Sequence, residues 1–109
     1  MKLAIPVADG LLATHFGHCQ EFALYEVLDN HIQSVETITP PAHAPGVLPK
    51  FIADQGVTHV IAGGMGTRAQ QLFEQQGIQV IVGASGQPEQ IARDFLSGQL
   101  EMSNNPCDH

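Results

Sequence analysis

The stretch Thr14-His15-Phe16-Gly17-His18-Cys19 sets two imidazoles and a thiol within five residues. Borderline nitrogen and soft sulfur together suit zinc, copper or iron-sulfur species, and Gly17 lets the loop fold back so that its donors converge. Three ligands in one loop make an incomplete structural zinc site, and no paired C-x-x-C units accompany them. The same residues also read as plain structure, with Phe16 plugging the core, one histidine capping a turn, and Cys19 a small buried hydrophobe. A second donor group, Cys107-Asp108-His109, lies far along the chain. It completes a shell begun by the His15 loop only if the tail folds back over the same edge of the fold. His43 and Met65 are further possible donors, whereas His31 beside a turn signal and His59 inside a strand read as structural or surface residues.

The stretch Val60-Ile61-Ala62-Gly63-Gly64-Met65-Gly66-Thr67-Arg68-Ala69 describes a buried strand that stops at a glycine group and turns into a helix. Glycine lets the backbone approach a ligand, and a helix start offers N–H groups that attract anions. Residues 64–69 satisfy the dinucleotide pattern G-x-G-x-x-A. A dinucleotide site also needs an acidic residue at the end of the next strand to hold the ribose. Here that strand ends Val82-Gly83-Ala84-Ser85, with no carboxylate before Glu89, and no Lys-Ser or Lys-Thr pair follows the glycines as a phosphate loop requires. The turn therefore reads in three ways: close strand-to-helix packing, a nucleotide or other small molecule, or one wall of a different site. Nucleophilic catalysis finds little support. His18 and Cys19 are adjacent, which rarely places a thiol and an imidazole for proton transfer, and no orienting group or oxyanion hole is assignable.

Two kinds of element must position these residues. Leu3–Val7 is a continuous apolar run typical of a central strand, with Pro6 expected where regular pairing ends. Glu21–Leu28 and Ile32–Ile38, joined at Asp29-Asn30, read as a β-hairpin. A proline-rich loop, Thr39 to Gly46, separates this half from a series of βα units. These are a helix with Val47, Leu48, Phe51 and Ile52 on its apolar face, a strand Thr58–Ala62, a helix through Gln76, a strand Ile78–Val82, and a helix with Ile91, Ala92, Phe95 and Leu96 inward. Gly56, Gly77 and Gly98 close the three helices at intervals of 21 residues.

With 109 residues the chain has the size of one domain. We expect that domain over residues 1–100, followed by a flexible tail over 101–109. Four basic residues against eleven acidic ones give a net charge of −7, which argues against a nucleic-acid partner. No apolar run approaches the roughly 20 residues of a membrane span, and Met1-Lys2 leads into a strand-like segment rather than a signal-peptide core. A cytoplasmic protein is expected, with Cys19 and Cys107 as free thiols or metal ligands rather than a structural disulfide.

In their order along the chain, Leu3-Ala4-Ile5-Pro6-Val7, His15-Phe16-Gly17, Phe22-Ala23-Leu24-Tyr25-Glu26, Val60 to Gly66 with Ala69, Gly77-Ile78 and the Cys107/His109 pair together resemble the dinitrogenase iron-molybdenum cofactor biosynthesis family. That family includes small nitrogenase accessory proteins, the C-terminal domain of the radical enzyme that assembles the cofactor's core, and stand-alone members of unknown role. The resemblance implies a ribonuclease H-like, three-layer α/β/α architecture. Its mixed five-stranded sheet would have the order 3-2-1-4-5, with strand 2 antiparallel to the rest. It further implies a non-enzymatic carrier of an iron-sulfur or iron-molybdenum cluster precursor that exchanges its cargo with metallocluster assembly or acceptor proteins. Carried over by position, His15, Phe16, Gly17, Gly63, Gly64, Met65 and Gly66 would form the cofactor-binding edge, with His15, His18, Cys19, Cys107 and His109 as metal donors. The alternative is a small-molecule or nucleotide-binding module that uses the Gly63–Gly66 turn without metal.

Overall fold

Strand β1, Lys2–Ala8, is where an antiparallel half and a parallel half of one sheet meet. The computed structural model describes residues 1–14, 19–41 and 47–100. On one side β1 pairs antiparallel with β3, Glu21–Leu28, which pairs antiparallel with β4, His31–Ile38. On the other side it pairs parallel with β5, His59–Ile61, which pairs parallel with β6, Gln79–Ile81. A two-residue strand β2, Leu11–Leu12, folds back on the end of β1. The sheet order is β4-β3-β1-β5-β6, with β2 attached to β1 alone. Without that short β2, this is the expected 3-2-1-4-5 order with the second strand antiparallel.

Pro6 departs from expectation, because it lies inside β1, opposite Phe22, and is fully buried. Its missing donor is tolerated for a local reason. The Lys2 carbonyl accepts from Thr58 N–H on the β5 side and the Pro6 carbonyl accepts from Ala13 N–H, so alternate residues of β1 face that side. Registered pairing with β5 covers only Leu3 and Ala4. The Pro6 nitrogen therefore faces an edge where the parallel ladder has already ended.

The hairpin forms at the expected turn. Asp29 and Asn30 have φ of 52° and 66°, the left-handed pair of a type I′ turn, which Asp and Asn adopt at low steric cost. The Asn30 amide also donates to the Leu96 carbonyl at 2.9 Å, tying the hairpin tip to the last helix.

The helices are α1, Val47–Asp54, α2, Thr67–Gln75, and α3, Pro88–Ser97. Core residues of α1 and α2, namely Leu48, Ile52 and Phe73, pack with Ala4, Phe22, Leu24 and Val60 on one sheet face. Ile91 and Ala92 of α3 pack with Leu3, Ile5, Ala23 and Tyr25 on the other. The result is three layers, as apolar residues of period two on the strands and near 3.6 on the helices require. Val47, placed on the inner face by its spacing, is instead 41% exposed, since it is the first residue of α1 and stands at the margin of the core. Gly98 caps α3 at φ 77°, and Gly56 and Gly77 have similar left-handed backbones, which explains their regular spacing. No described helix is long and apolar enough to cross a membrane.

Candidate functional site

The parallel strands β1, β5 and β6 point the same way, so the connections after them share one edge of the sheet. After β1 the chain turns at Asp9 and Gly10, runs through β2, and reaches Ala13, whose N–H donates to the Pro6 carbonyl at 2.9 Å. Thr14 is the last described residue before the His15 loop. On the return, Gln20 N–H donates to the Val7 carbonyl at 2.8 Å, and the Gln20 side-chain oxygen accepts from Asp9 N–H at 3.0 Å. Both roots of the loop are thus fixed to the last turn of β1.

The glycine turn meets these roots directly. A Cβ built on Gly63 would lie 2.9 Å from the Ala13 carbonyl oxygen, 3.1 Å from that of Thr14 and 3.3 Å from that of Ala84. All three neighbours are backbone, so only glycine lets the connections close to this distance. Gly83 N–H donates to the Gly63 carbonyl at 2.7 Å, Ala84 N–H to Ala62 at 3.2 Å, and Leu12 N–H to Gly86 at 2.9 Å. The connections after β1, β5 and β6 therefore form one hydrogen-bonded rim. The part played by Gly83–Gly86 escaped the sequence reading, although a second small-residue stretch between strand and helix was its signal.

Beyond Gly63 the turn presents backbone rather than side chains. Gly64 is buried. The Met65 side chain is 1% exposed and belongs to the core with Phe22, Val60 and Phe73, so its thioether is turned inward, away from the rim. Met65 can serve a ligand at the edge only through its backbone, and its carbonyl already accepts from the Gln70 amide at 2.8 Å. Gly66 is the N-cap of α2 and supplies no side-chain cap, and no acidic residue occupies the first turn. Arg68 is exposed there. Lys2 donates to the Gln55 carbonyl, while Lys50 and Arg93 sit 3.7 Å and 3.5 Å from Asp54 and Glu89. Arg68 thus has no ion pair among the described residues, at a helix start that already favours negative charge.

His15, Phe16, Gly17, His18, His43, Cys107 and His109 lie outside the described residues. Cys19 is half-buried, carries a free thiol and packs against the core on the α1/α2 side. Burial pushes its pKa up, partly opposed by a backbone hydrogen bond. This is the reverse of an activated nucleophile. In metal-free protein carrying Cys107→Ser, alkylation of Cys19 at pH 8 should therefore be several-fold slower than that of the unfolded chain. The gap should narrow as pH rises through the raised pKa, and equal rates at pH 8 would refute the assignment. Among the described residues no group of three or more His, Cys, Asp or Glu side chains converges. His31 and His59 have local roles. His31 Nδ1 is 2.8 Å from the Asp29 carbonyl, and the His59 ring lies 5.7 Å from that of Phe95. Burial holds the His59 pKa below its ordinary value, with a Gln79 hydrogen bond in partial opposition.

Fold and rim together define a small three-layer α/β domain whose rim of connections lies at the carboxyl ends of its parallel strands, the edge where open α/β sheets commonly bind ligands. The chain belongs to the dinitrogenase iron-molybdenum cofactor family, whose model matches residues 1–98. It is 32% identical over 106 residues to an uncharacterised protein of Methanocaldococcus jannaschii, MJ0580, covering 93% of this chain and 90% of that one. The crystal structure of PH0822 superposes with a TM-score of 0.89 at 31% identity, over 94% of this chain and 96% of the other. The apo form of the orange protein from Desulfovibrio gigas shares the fold, with a TM-score of 0.73 at 24% identity over 96% and 94% of the two chains. Membership supports an accessory role in metallocluster biosynthesis.

Proposed function

We propose that the chain is a non-catalytic carrier that holds an iron-sulfur or iron-molybdenum cofactor precursor at this rim and passes it between metallocluster assembly and acceptor proteins. The observation that carries the reading is the contact of Gly63 with the Ala13 and Thr14 carbonyls, which seats the root of the His15 loop against the glycine turn. In this reading the turn offers N–H groups to the anionic sulfides of the cargo. The opposing loop supplies soft donors from His15, with His18 and Cys19 beside it. Cys107 and His109, in a 101–109 tail appended to a 1–100 domain, supply the remaining donors. A reduced, oxygen-sensitive cargo suits a cytoplasmic setting. The raised thiol pKa of Cys19 counts against a cysteine nucleophile.

Anaerobic incubation with iron and sulfide, or with a cluster donor, should produce charge-transfer absorption and electron paramagnetic resonance signals. Replacing His15 and Cys19 together should remove most of the absorption, and Arg68→Glu should reduce uptake of an anionic cluster several-fold. No uptake under reducing conditions would sink the proposal. The position of the glycine turn at the start of α2, after a parallel strand, favours one competing reading, a small-molecule or nucleotide site without metal. Thermal stabilisation by phosphate compounds in the presence of a chelator would select it.

A further inference from the structure

The outer edge of the sheet is a strand with no second ladder partner among the described residues. β4 lies beyond β3 at one end of the sheet order, and each residue from Gln33 to Thr37 is exposed. Natural edge strands are commonly blunted by lysine, proline, bulges or inward charges. Between His31 and Ile38 there is neither lysine nor proline. The register shift after Glu26 places the extra residue at Gln33, close to the hairpin tip. Ser34 to Ile38 remain in unbroken register with Glu26 to Phe22, so this run presents a regular row of outward N–H and C=O groups.

The two faces of that run differ. Ser34 and Glu36 stand opposite Glu26 and Leu24, on the α1/α2 side of the sheet. Glu26 and Glu36 are therefore diagonal neighbours on one face, within reach of each other's charge. Both are exposed, and neither forms an ion pair with a described residue. Lys2 stands across from Glu26 in the register, but its ammonium donates to the Gln55 carbonyl. On the other face Val35, 52% exposed, and Thr37 extend the row begun by Tyr25 and Ala23.

We infer that β4 docks an extended segment of a partner protein by strand addition, and that this segment alternates basic residues toward Glu36 with apolar residues toward Val35. A second copy of the chain fits poorly. Each copy carries a net charge of −7, and antiparallel β4–β4 pairing would bring both Glu36 side chains onto one short ladder. The edge is two strands away from β1. The inference therefore stands whether or not the rim holds a cluster, and its test needs no metal.

The probe is a blocked peptide alternating lysine and valine, titrated into the metal-free full chain at low salt and followed by NMR. Amide shifts and slowed hydrogen exchange should centre on Ser34–Ile38, and binding should weaken as salt rises. Glu36→Lys should weaken the lysine peptide about five- to tenfold, through one attraction lost and one repulsion gained, and should create binding of the glutamate–valine counterpart. An exposed substitution of this kind should leave the unfolding midpoint nearly unchanged, so that loss of binding is not loss of fold. Equal binding of a peptide N-methylated at alternate amides would overturn the inference, because charge without backbone pairing would then suffice. So would shifts at another face, absence of shifts at millimolar peptide, or self-association through β4 that Val35→Lys abolishes.

Discussion

Replacing Gly63 with alanine is expected to lower the midpoint of thermal unfolding by roughly 5–15 °C and to abolish cargo uptake in the fraction that remains folded. One added methyl would sit 2.9 Å from the Ala13 carbonyl oxygen and 3.1 Å from that of Thr14, inside normal contact distance. A flexible side chain could swing away from it, but these are backbone atoms fixed by the Ala13–Pro6 and Gly83–Gly63 hydrogen bonds. Overpacking at such a site costs about 1–3 kcal/mol, and a domain of this size loses about 4–8 °C per kcal/mol. Relief must come from moving Ala13 and Thr14 away from β5, which separates the last described residues before His15 from the glycine turn. Gly66→Ala is the control. A Cβ there meets nothing within 4 Å, and its backbone at φ −64° accepts any residue, so only a weak N-cap preference is lost. If Gly66→Ala were as damaging as Gly63→Ala, the close approach at Gly63 would not be the reason for glycine.

Why the sequence revealed some of this and hid the rest has a physical answer. Hairpin, βα units and helix-closing glycines are local: period, turn residues and caps act over a few positions, and Asp29-Asn30 or Gly98 read correctly without knowing what they pack against. The strand order was legible only through the family resemblance, since no local rule places β5 beside β1 rather than beside β4. The rim was half legible. Glycines at 63, 64 and 66 announced a close backbone approach, but what approaches is a carbonyl pair at Ala13 and Thr14, residues with no chemical signature. Met65 is ambiguous in the sequence because a thioether reads equally as a soft donor and as a core filler; in the fold its side chain is buried in the core. Pro6, expected where regular pairing ends, lies inside β1 because a strand residue hydrogen-bonds to one side at a time, and its side is the one where the parallel ladder has stopped.

Phe73→Ala should be more destabilising still, by about 3–5 kcal/mol, and should act on the rim from a distance. Helix α2 is mostly polar, and Phe73 is its one fully buried residue, with no exposed surface at all. Ala69, half-buried, packs against the same core, and Leu72 is half-buried as well. A net stability of about 5–15 kcal/mol leaves part of such a variant folded at low temperature, and in that fraction α2 has lost the anchor that holds it to the sheet. Because Gly66 leads straight into Thr67, loosening α2 frees the N–H groups that the proposed carrier aims at its cargo. Ile91→Ala separates this from a general loss of stability. Ile91 is also buried, but in α3 on the opposite face, and its removal should cost about 2–5 kcal/mol. Urea titration measures both losses, and native-state hydrogen exchange shows where each is felt. Phe73→Ala should speed exchange across α2 at urea concentrations well below the unfolding midpoint and lower cluster uptake about tenfold or more in folded protein. Ile91→Ala should leave α2 exchange and uptake close to those of the parent chain. If the two variants lost uptake equally when compared at matched stability, uptake would follow global folding, and the start of α2 would have no part in holding the cargo.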